Sequence, residues 1–287
     1  MGSLHLVECP RDAMQGMTEF VHTLTKINYL KSLLKVGFGT LDCGSFVNPT
    51  AVPQMADTEE IIDEIGSEKG NTRLLVIVAN ERGAREASAF DAIDDLGFPF
   101  SINETFQKRN ANSGVEESFT RLQHIKDIAD AENKRLVVYL SMAFGNPYGE
   151  DYDRDQVLEW AHRVASIGVS VISLADTVGQ ANTEDISYLF QQMQQQFPHI
   201  ETGAHFHARP GMWIEKAEQA LKAGCHRFDG AILGYGGCPF AADTLTGNLP
   251  TEELIRWFEY EKRIPTHINL TLLDDAVNRA HGIFNHN

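Results

Sequence analysis

The sequence predicts an α/β fold in which eight parallel strands, each followed by a helix, close into a (β/α)8 barrel, or TIM barrel, with additional C-terminal helices. Short apolar, β-branched runs alternate with segments of helical periodicity along the chain. The length of 287 residues is close to the usual size of one such barrel. No Pro- or Ser-rich linker interrupts the sequence, so we expect one domain over residues 1–287. A doubly wound open sheet is the alternative, because alternation alone does not establish closure.

Eight apolar runs are the predicted strands, and each is short enough to be a strand rather than a helix. In chain order they are Leu4–Glu8, Thr40–Asp42, Arg73–Asn80, Phe98–Asn103, Arg135–Ser141, Ser170–Thr177, Ile200–His207 and Arg227–Leu233. Eight strands alternating with helices favour a parallel sheet closed on itself.

The segments between the strands carry apolar side chains at helical spacing. The clearest stripes are Ile27, Leu30, Leu33 and Leu34; Ile61, Ile62 and Ile65; Phe119, Leu122, Ile125 and Ile128; and Val157, Trp160, Ala161 and Val164. After the eighth strand, two more helices are predicted around Leu254–Tyr260 and Leu272–Ile283. These two helices are expected to pack under or beside the barrel.

Residues typical of helix ends support this division of the chain. Asp57 with Glu60, and Asp153 with Gln156, have the spacing of capping boxes at helix starts. Four glycines end helical stretches just before strands, where a left-handed residue is typical: Gly37, Gly97, Gly168 and Gly224.

Charge and composition exclude several classes of function. The formal net charge is −16, so the surface repels nucleic acid and anionic membranes, and we expect neither as a partner. No apolar run approaches the length of a membrane span, and the N-terminus does not resemble a signal sequence. No C-x-x-C pair occurs among Cys9, Cys43, Cys225 and Cys238. We therefore expect reduced thiols and a cytoplasmic protein.

Polar side chains gather where the predicted strands end, which is the end of a barrel that carries the active site. In chain order these residues are Arg11 and Asp12, Asp42, Asn80, Asn103 and Glu104, Ser141, Asp176, His205 and His207, and, after a glycine-rich loop, Asn248. An anionic substrate of so acidic a protein would need a local positive site made by a metal or an arginine at this end.

His205-Phe206-His207 is the sharpest local feature. Side chains alternate along a strand, so both imidazoles face one side and can reach one metal. Taken alone, such a pair is more often two hydrogen-bonded or solvated histidines. Asp12 at the same rim favours a metal site, and a mixed oxygen and nitrogen set fits Mg, Mn or Zn.

Arg11 and Asp12 by themselves are typical of a surface salt bridge in a turn. In the functional interpretation Asp12 binds the metal and Arg11 stabilises a developing oxyanion. Cys238 lies in a glycine-rich loop after the last strand, where it is either a small buried residue or part of a mobile lid over the site. Lys108 and Arg109 either hold CoA phosphates or form a solvated basic pair.

These residues belong to a recurring pattern. The chain resembles the hydroxymethylglutaryl-CoA lyase family of the DRE-TIM metallolyase superfamily over nearly its whole length. The matching segments are Glu8–Gln15, Ser45–Pro49, Val52–Met55, Gly114–Phe119, Ser173–Gly179, His205–His207, Gly236–Phe240 and Gly247–Glu252. The order and spacing of so many segments would not arise from barrel architecture alone.

The resemblance implies roles for eight residues. It implies metal ligation by Asp12, His205, His207 and Asn248, substrate activation by Arg11, proton transfer by Cys238, and acidic site residues at Asp42 and Asp176. It further implies Mg or Mn as the metal and cleavage of 3-hydroxy-3-methylglutaryl-CoA to acetyl-CoA and acetoacetate. A carboxylate, Asp42 or Asp176, is preferred as the base over His205, because a metal-bound imidazole is a poor base.

Three departures from the family pattern bear on specificity. Asp42 stands where glutamate is usual, and the loop between Cys238 and Asn248 is one residue longer than expected. Ala208-Arg209-Pro210 follows His207, where Asp-Thr is common. In this chain either a hydrogen-bond partner of the histidine is missing, or Arg209 makes a new contact with substrate.

Two rival functions remain open at this point. One is a related lyase or aldolase acting on another 3-hydroxyacyl-CoA or on a 4-hydroxy-2-oxoacid, against which the Gly-Gly-Cys-Pro sequence argues. The other is a barrel that binds acyl-CoA or metal without catalysis, with Asp42 and Ala208–Pro210 as signs of a decayed site. Arg11, Asp12, Cys238 and Asn248 together argue for catalysis. We expect a homodimer, the commonest assembly of soluble oligomers.

Overall fold

Eight parallel strands close into a barrel in the order β1-β2-β3-β4-β5-β6-β7-β8, with β1 hydrogen-bonded to β8. The structure, a computed structural model, describes residues 3–237 and 246–284. Closure confirms the predicted (β/α)8 barrel and rules out the doubly wound open sheet. The strands are His5–Glu8 (β1), Thr40–Ser45 (β2), Arg73–Ile77 (β3), Ile93–Ser101 (β4), Arg135–Ser141 (β5), Val171–Asp176 (β6), Glu201–Phe206 (β7) and Arg227–Gly230 (β8).

The helices lie between and after the strands. They are Pro10–Gln15 (α1), Thr23–Val36 (α2), Thr58–Ile65 (α3), Glu81–Ser88 (α4), Glu104–Ala111 (α5), Val115–Ala131 (α6), Arg154–Ser166 (α7), Thr183–Gln196 (α8), Ile214–Lys222 (α9), Thr251–Tyr260 (α10) and Leu270–Phe284 (α11). The four apolar stripes and both C-terminal helices occur as predicted, and every residue of the stripes is buried. Within the described ranges no helix has both the length and the apolarity needed to cross a bilayer.

The predicted start of β4 is wrong. The strand begins at Ile93, five residues before the predicted start, and Gly97 lies inside it rather than at a helix end. A Cβ at Gly97 would lie 2.7 Å from Ile77 Cδ1, so the glycine makes room for a neighbouring side chain in the barrel. Gly37, Gly168 and Gly224 do adopt positive φ before strands, as predicted.

The capping prediction at Asp57 was also wrong. Asp57 precedes α3, but its side chain does not cap the helix. Its carboxylate instead accepts a hydrogen bond of 2.8 Å from Lys26 Nζ, a buried ammonium on α2. An ion pair satisfies a buried ammonium, whereas the helix amides can be satisfied by water. At the start of α7, Asp153 caps as predicted by accepting from the amide of Asp155.

The opposite end of the barrel, where the strands begin, is tied together by ion pairs. Asp95 on β4 accepts hydrogen bonds from the guanidinium groups of Arg73 (2.6 Å) and Arg135 (2.7 Å). The Asp95 side chain is completely buried, and both partners carry positive charge, which lowers its pKa although burial opposes the shift. This cluster lies at the strand starts, one barrel length from the polar residues at the strand ends.

Candidate active site

A cavity of about 590 Å³ opens at the C-terminal ends of the strands, where the sequence analysis places the site. Its wall includes Arg11, Asp12, His205 and His207. Apolar side chains from the loop after β2, from β3, from β4 and from α5 form part of the rest: Val47, Ile77, Phe98 and Phe106. The arginine, the carboxylate and the two imidazoles thus converge at one part of a cavity whose remaining wall mixes apolar and polar side chains and includes Arg109 and Arg121.

Asp12, His205 and His207 form a cluster with the geometry of a metal site. One carboxylate oxygen and two imidazole nitrogens lie within 4.8 Å of one another. Asp12 and His207 are buried, and the His205 side chain is only 12% exposed. The surface-turn interpretation of Arg11 and Asp12 is wrong, because both lie in α1 and are less than a tenth exposed. A buried carboxylate is costly unless it is paired, and a bound cation would pair with Asp12.

Asn248 completes this donor set. It pairs with His207 in an antiparallel bridge, and its Nδ2 donates to Asp12 Oδ2 (2.6 Å) and to the carbonyl of Tyr235 (2.9 Å). Its Oδ1 is buried and has no hydrogen-bond partner in the part of the chain that the structure describes. A buried oxygen without a partner destabilises the folded state unless a ligand satisfies it. An amide oxygen of this kind can coordinate a divalent cation. The four residues therefore fit a divalent metal.

Both histidines have partners that fix their orientation. His205 Nδ1 lies 3.2 Å from Asp229 Oδ2, and His207 Nδ1 lies 3.0 Å from the carbonyl oxygen of Thr246. Holding Nδ1 in this way leaves Nε2 of each ring for a metal. Of the two alternatives for the departure after His207, a missing partner is wrong, because the backbone carbonyl of Thr246 supplies one. Phe206 points to the opposite face and packs edge-on against Phe144, as strand alternation predicts.

The surrounding charges favour the metal-binding protonation states of Asp12 and His207, whereas the pKa of His205 is raised. Burial lowers the pKa of His205, but the hydrogen bond and the charge of Asp229 outweigh burial. Burial raises the pKa of Asp12, but Arg11 and the two histidines outweigh it, and the pKa falls to about 2. Burial, together with the charge of His205, lowers the pKa of His207 to about 4. Near neutral pH Asp12 is therefore a carboxylate and His207 a neutral imidazole, the protonation states that bind metals.

Arg11 is held against the cavity wall by several acceptors. Its Nη2 donates to Asp42 Oδ2 (2.6 Å), while Nη1 donates to Gln15 Oε1 (2.7 Å) and to Asp12 Oδ1 (3.2 Å). Asp42 lies behind Arg11 and does not itself line the described cavity. Burial raises the pKa of Asp42, although the Arg11 charge opposes the shift. The shorter acid at this position thus reaches Arg11 from β2.

Asp176 lies outside the cavity lining in the described chain. It accepts a hydrogen bond of 2.6 Å from Lys216 Nζ and further bonds from the amides of Gln180 (2.8 Å) and Ala181 (3.1 Å). Its carboxylate is therefore fully engaged with groups behind the site. Burial raises its pKa, and the Lys216 ammonium opposes this.

The two basic residues after β4 differ in position. Lys108 is exposed and forms an ion pair with Glu104, whereas Arg109 lines the cavity and lies 4.7 Å over the ring of Tyr148. Arg209, the proposed new substrate contact, is exposed and does not belong to the described cavity lining.

The glycine-rich loop approaches the donor set from the end of β8. A Cβ at Gly236 would lie 2.6 Å from Asn248 Nδ2 and 2.8 Å from the carbonyl oxygen of Asp12. Gly236 also has a φ of +102°, so both close approach and backbone conformation require glycine there. Cys238, which follows, lies outside the described residues.

Four residues that shape the site were not predicted from the sequence: Gln15, Tyr139, Lys216 and Asp229. Period-two alternation from Arg227 places Asp229 on the same side of β8 and could have indicated it. Nothing local indicated Lys216, since a lysine in an amphipathic helix is usually exposed. Cys9, His205 and Asp229 also lie within 4.8 Å of one another, but Cys9 and Asp229 do not line the described cavity. Access from the cavity therefore favours the Asp12 cluster for a metal.

Comparison with known proteins identifies relatives over nearly the whole chain. The sequence profile of the HMGL-like family matches residues 6–279. The hydroxymethylglutaryl-CoA lyase YngG of Bacillus subtilis is 31% identical over 268 residues, which cover 93% of this chain and 88% of that protein. The mitochondrial hydroxymethylglutaryl-CoA lyase of Homo sapiens is 32% identical over 269 residues, covering 94% and 82%.

Solved structures agree with these sequence relatives. An HMG-CoA lyase from Acinetobacter baumannii in complex with coenzyme A and 3-methylmalate superposes with a TM-score of 0.91 at 28% identity, covering 99% of this chain and 92% of that one. The hydroxymethylglutaryl-CoA lyase of Pseudomonas aeruginosa superposes with a TM-score of 0.90 at 28% identity, covering 98% and 93%.

Proposed function

The chain belongs to the HMGL-like family, and from this we propose that it cleaves 3-hydroxy-3-methylglutaryl-CoA to acetyl-CoA and acetoacetate as a divalent-metal-dependent carbon–carbon lyase. We propose Mg²⁺ or Mn²⁺ as the metal and Asp12, His205, His207 and Asn248 as its ligands. The orphaned Oδ1 of Asn248, set beside a buried carboxylate and two oriented imidazoles, is the observation that best supports the proposal. When bound, such a cation lowers the pKa of a coordinated hydroxyl and polarises a carbonyl.

Arg11 is the proposed stabiliser of the enolate. As the bond between the hydroxyl-bearing carbon and the acetyl-CoA methylene carbon breaks, its electron pair enters the thioester carbonyl, and negative charge develops on that oxygen. Arg11 already lies in the cavity wall, and Asp42 and Gln15 fix its guanidinium plane. Donors fixed in advance lower the barrier because they need not reorganise when the charge appears.

Asp42 is the proposed final acceptor of the hydroxyl proton. Because Asp42 lies behind Arg11 and does not line the described cavity, the proton would reach it through the groups of the cavity wall that lie between. Of the two carboxylates considered as bases, it is the one whose oxygens contact a cavity-lining side chain, Arg11. Asp176 is engaged by Lys216 and by two backbone amides, so we assign it to positioning rather than to proton transfer.

Arg109 is the proposed contact for the CoA portion of the substrate, because it lines the cavity while Lys108 is paired with Glu104 at the surface. The remaining parts of the proposal are a cytoplasmic location and a homodimer. The described cysteines Cys9, Cys43 and Cys225 are buried free thiols, in agreement with a reducing compartment.

Cys238→Ala is expected to reduce turnover about a hundredfold, within the range of a lost general acid, and to leave metal binding unchanged. In the proposal Cys238 takes part in protonating the enolate carbon to form the methyl group of acetyl-CoA. The measurements are kcat and bound Mn²⁺ per chain, with Cys225→Ala as a buried-thiol control. Loss of metal in the Cys238 variant would show that the assignment of roles is wrong.

The test of the proposed function is acetoacetate release from 3-hydroxy-3-methylglutaryl-CoA with added Mg²⁺ or Mn²⁺, repeated with chelator. We expect turnover that chelator abolishes and added metal restores. Turnover on a 3-hydroxyacyl-CoA with a larger 3-substituent, but not on this substrate, would retain the reaction class and overturn the acyl group. Bound metal without turnover on any acyl-CoA tested would favour the non-catalytic barrel.

A further inference from the structure

We infer that Lys216 is a positioning residue for the proposed metal site, acting by fixing the backbone of His207 to the end of β6. Lys216 lies on α9, and only 11% of its side chain is exposed. Its Nζ contacts Asp176 Oδ2 (2.6 Å), the carbonyl oxygen of Gly179 (2.9 Å) and the carbonyl oxygen of His207 (3.2 Å). An ammonium has three N–H donors, so this arrangement uses all of them.

The three acceptors belong to different segments around the site. Asp176 ends β6, Gly179 lies in the loop that follows, and His207 lies one residue beyond the end of β7. The last residue pair of the β6–β7 ladder is Asp176 with Phe206, so regular sheet pairing stops just before His207. Beyond that last pair, Lys216 holds the carbonyl oxygen of His207, while the amide of His207 still donates to the end of β6.

The packing around His207 makes this restraint specific. Its amide donates to the carbonyl oxygen of Asp176 (3.3 Å), and its ring Nδ1 lies 3.0 Å from the Thr246 carbonyl. A Cβ at Gly179 would lie 3.2 Å from the carbonyl oxygen of His207, so the loop after β6 packs directly on this backbone. Without the ammonium, the Asp176 carboxylate and two backbone carbonyls would be left facing one another. Repulsion among these oxygens would displace the backbone that carries the imidazole.

The chain offers a matched control for a buried lysine. Lys26 on α2 is also fully buried, and its Nζ donates to Asp57 Oδ1 (2.8 Å) and to the backbone carbonyl of Gln54. Neither Lys26 nor Asp57 lines the described cavity. Loss of Lys26 should therefore destabilise the fold without reaching the donor set.

The test is Mn²⁺ titration of the full chain, followed by the electron paramagnetic resonance of free Mn²⁺, for wild type, Lys216→Met and Lys26→Met. We expect Lys216→Met to weaken Mn²⁺ binding by about ten- to a hundredfold, the range found for groups that orient metal ligands. Lys26→Met should lower Tm and bind Mn²⁺ like wild type. The visible spectrum of Co²⁺ in Lys216→Met should also differ from that of wild type, because a displaced imidazole changes the ligand field.

A double variant keeps the test decisive if Lys216→Met fails to fold. Asp176→Asn with Lys216→Met leaves no unpaired buried charge, and we expect it to fold but still to bind Mn²⁺ more weakly than wild type. Wild-type Mn²⁺ affinity and Co²⁺ spectrum in a folded Lys216 variant, single or double, would overturn the inference. Because the inference rests on the proposed metal site, failure of wild type itself to bind Mn²⁺ would overturn that site, and the positioning role with it.

Discussion

Asp12→Asn is expected to weaken Mn²⁺ binding by about 10³-fold and to lower turnover in proportion at a metal concentration that saturates the wild type. A carboxylate and a divalent cation about 4 Å apart attract by about 8 kcal/mol at an effective dielectric constant of about 20, and the neutral amide oxygen that asparagine offers as a ligand retains part of this, which leaves a net loss on the order of 4 kcal/mol. Each 1.4 kcal/mol corresponds to about tenfold in affinity. The substitution is isosteric, and Asn248 Nδ2 can still donate to the remaining side-chain oxygen, as it does to Asp12 Oδ2. The new amide nitrogen then stands where Oδ1 accepts from Arg11 and Gln15, so the variant removes the charge together with those two hydrogen bonds.

The measurements for Asp12→Asn are isothermal titration with Mn²⁺ and acetoacetate release as a function of Mn²⁺ concentration. Asp95→Asn is the matched control, because Asp95 is an equally buried, arginine-paired carboxylate at the opposite end of the barrel. We expect the control to lower Tm and leave Mn²⁺ affinity unchanged. Equal losses of affinity in the two variants would mean that Asp12 supports the fold rather than the metal.

The barrel could be predicted from the sequence because its signals are local and repeated. Apolar runs such as Arg135–Ser141 and left-handed glycines such as Gly37 fix the strand and helix limits without reference to distant residues. The start of β4 escaped prediction because Asp94 and Asp95 interrupt its apolar run. Asp95 is acceptable in a strand only because Arg73 and Arg135 neutralise it, and those residues lie 22 and 40 positions away in the chain.

The candidate site was predictable in part for a similar reason. Residues with a local signal, such as His205 and His207 two positions apart, were placed correctly beside Asp12. Residues that act through partners distant in the chain were not, and the clearest case is Lys216, whose acceptors are Asp176, Gly179 and His207. Asp176 was a candidate base in the sequence, and it is an ion-paired carboxylate in the structure because Lys216 donates to it. A single sequence cannot report such a contact.

Replacing Arg11 is expected to lower kcat by about 10²- to 10³-fold, the cost of removing one preorganised donor from an oxyanion site. Arg11→Met alone would leave the buried carboxylate of Asp42 without its cation, and the resulting instability would obscure the kinetic effect. The double variant Arg11→Met with Asp42→Asn removes both charges, while Asp42→Asn alone gives the contribution of Asp42. Comparison of these two variants with wild type therefore isolates the contribution of Arg11 to turnover.

Arg11→Lys separates charge from geometry at the same position. Lysine keeps the positive charge but cannot donate from a planar fork to Asp42 and Gln15 at once, as Arg11 does. If orientation of the guanidinium matters, kcat should fall while Mn²⁺ affinity stays near that of wild type. Full activity of Arg11→Lys would show that charge alone suffices. Loss of Mn²⁺ from the double variant would instead assign Arg11 to maintaining Asp12, which its Nη1 contacts at 3.2 Å, rather than to the enolate.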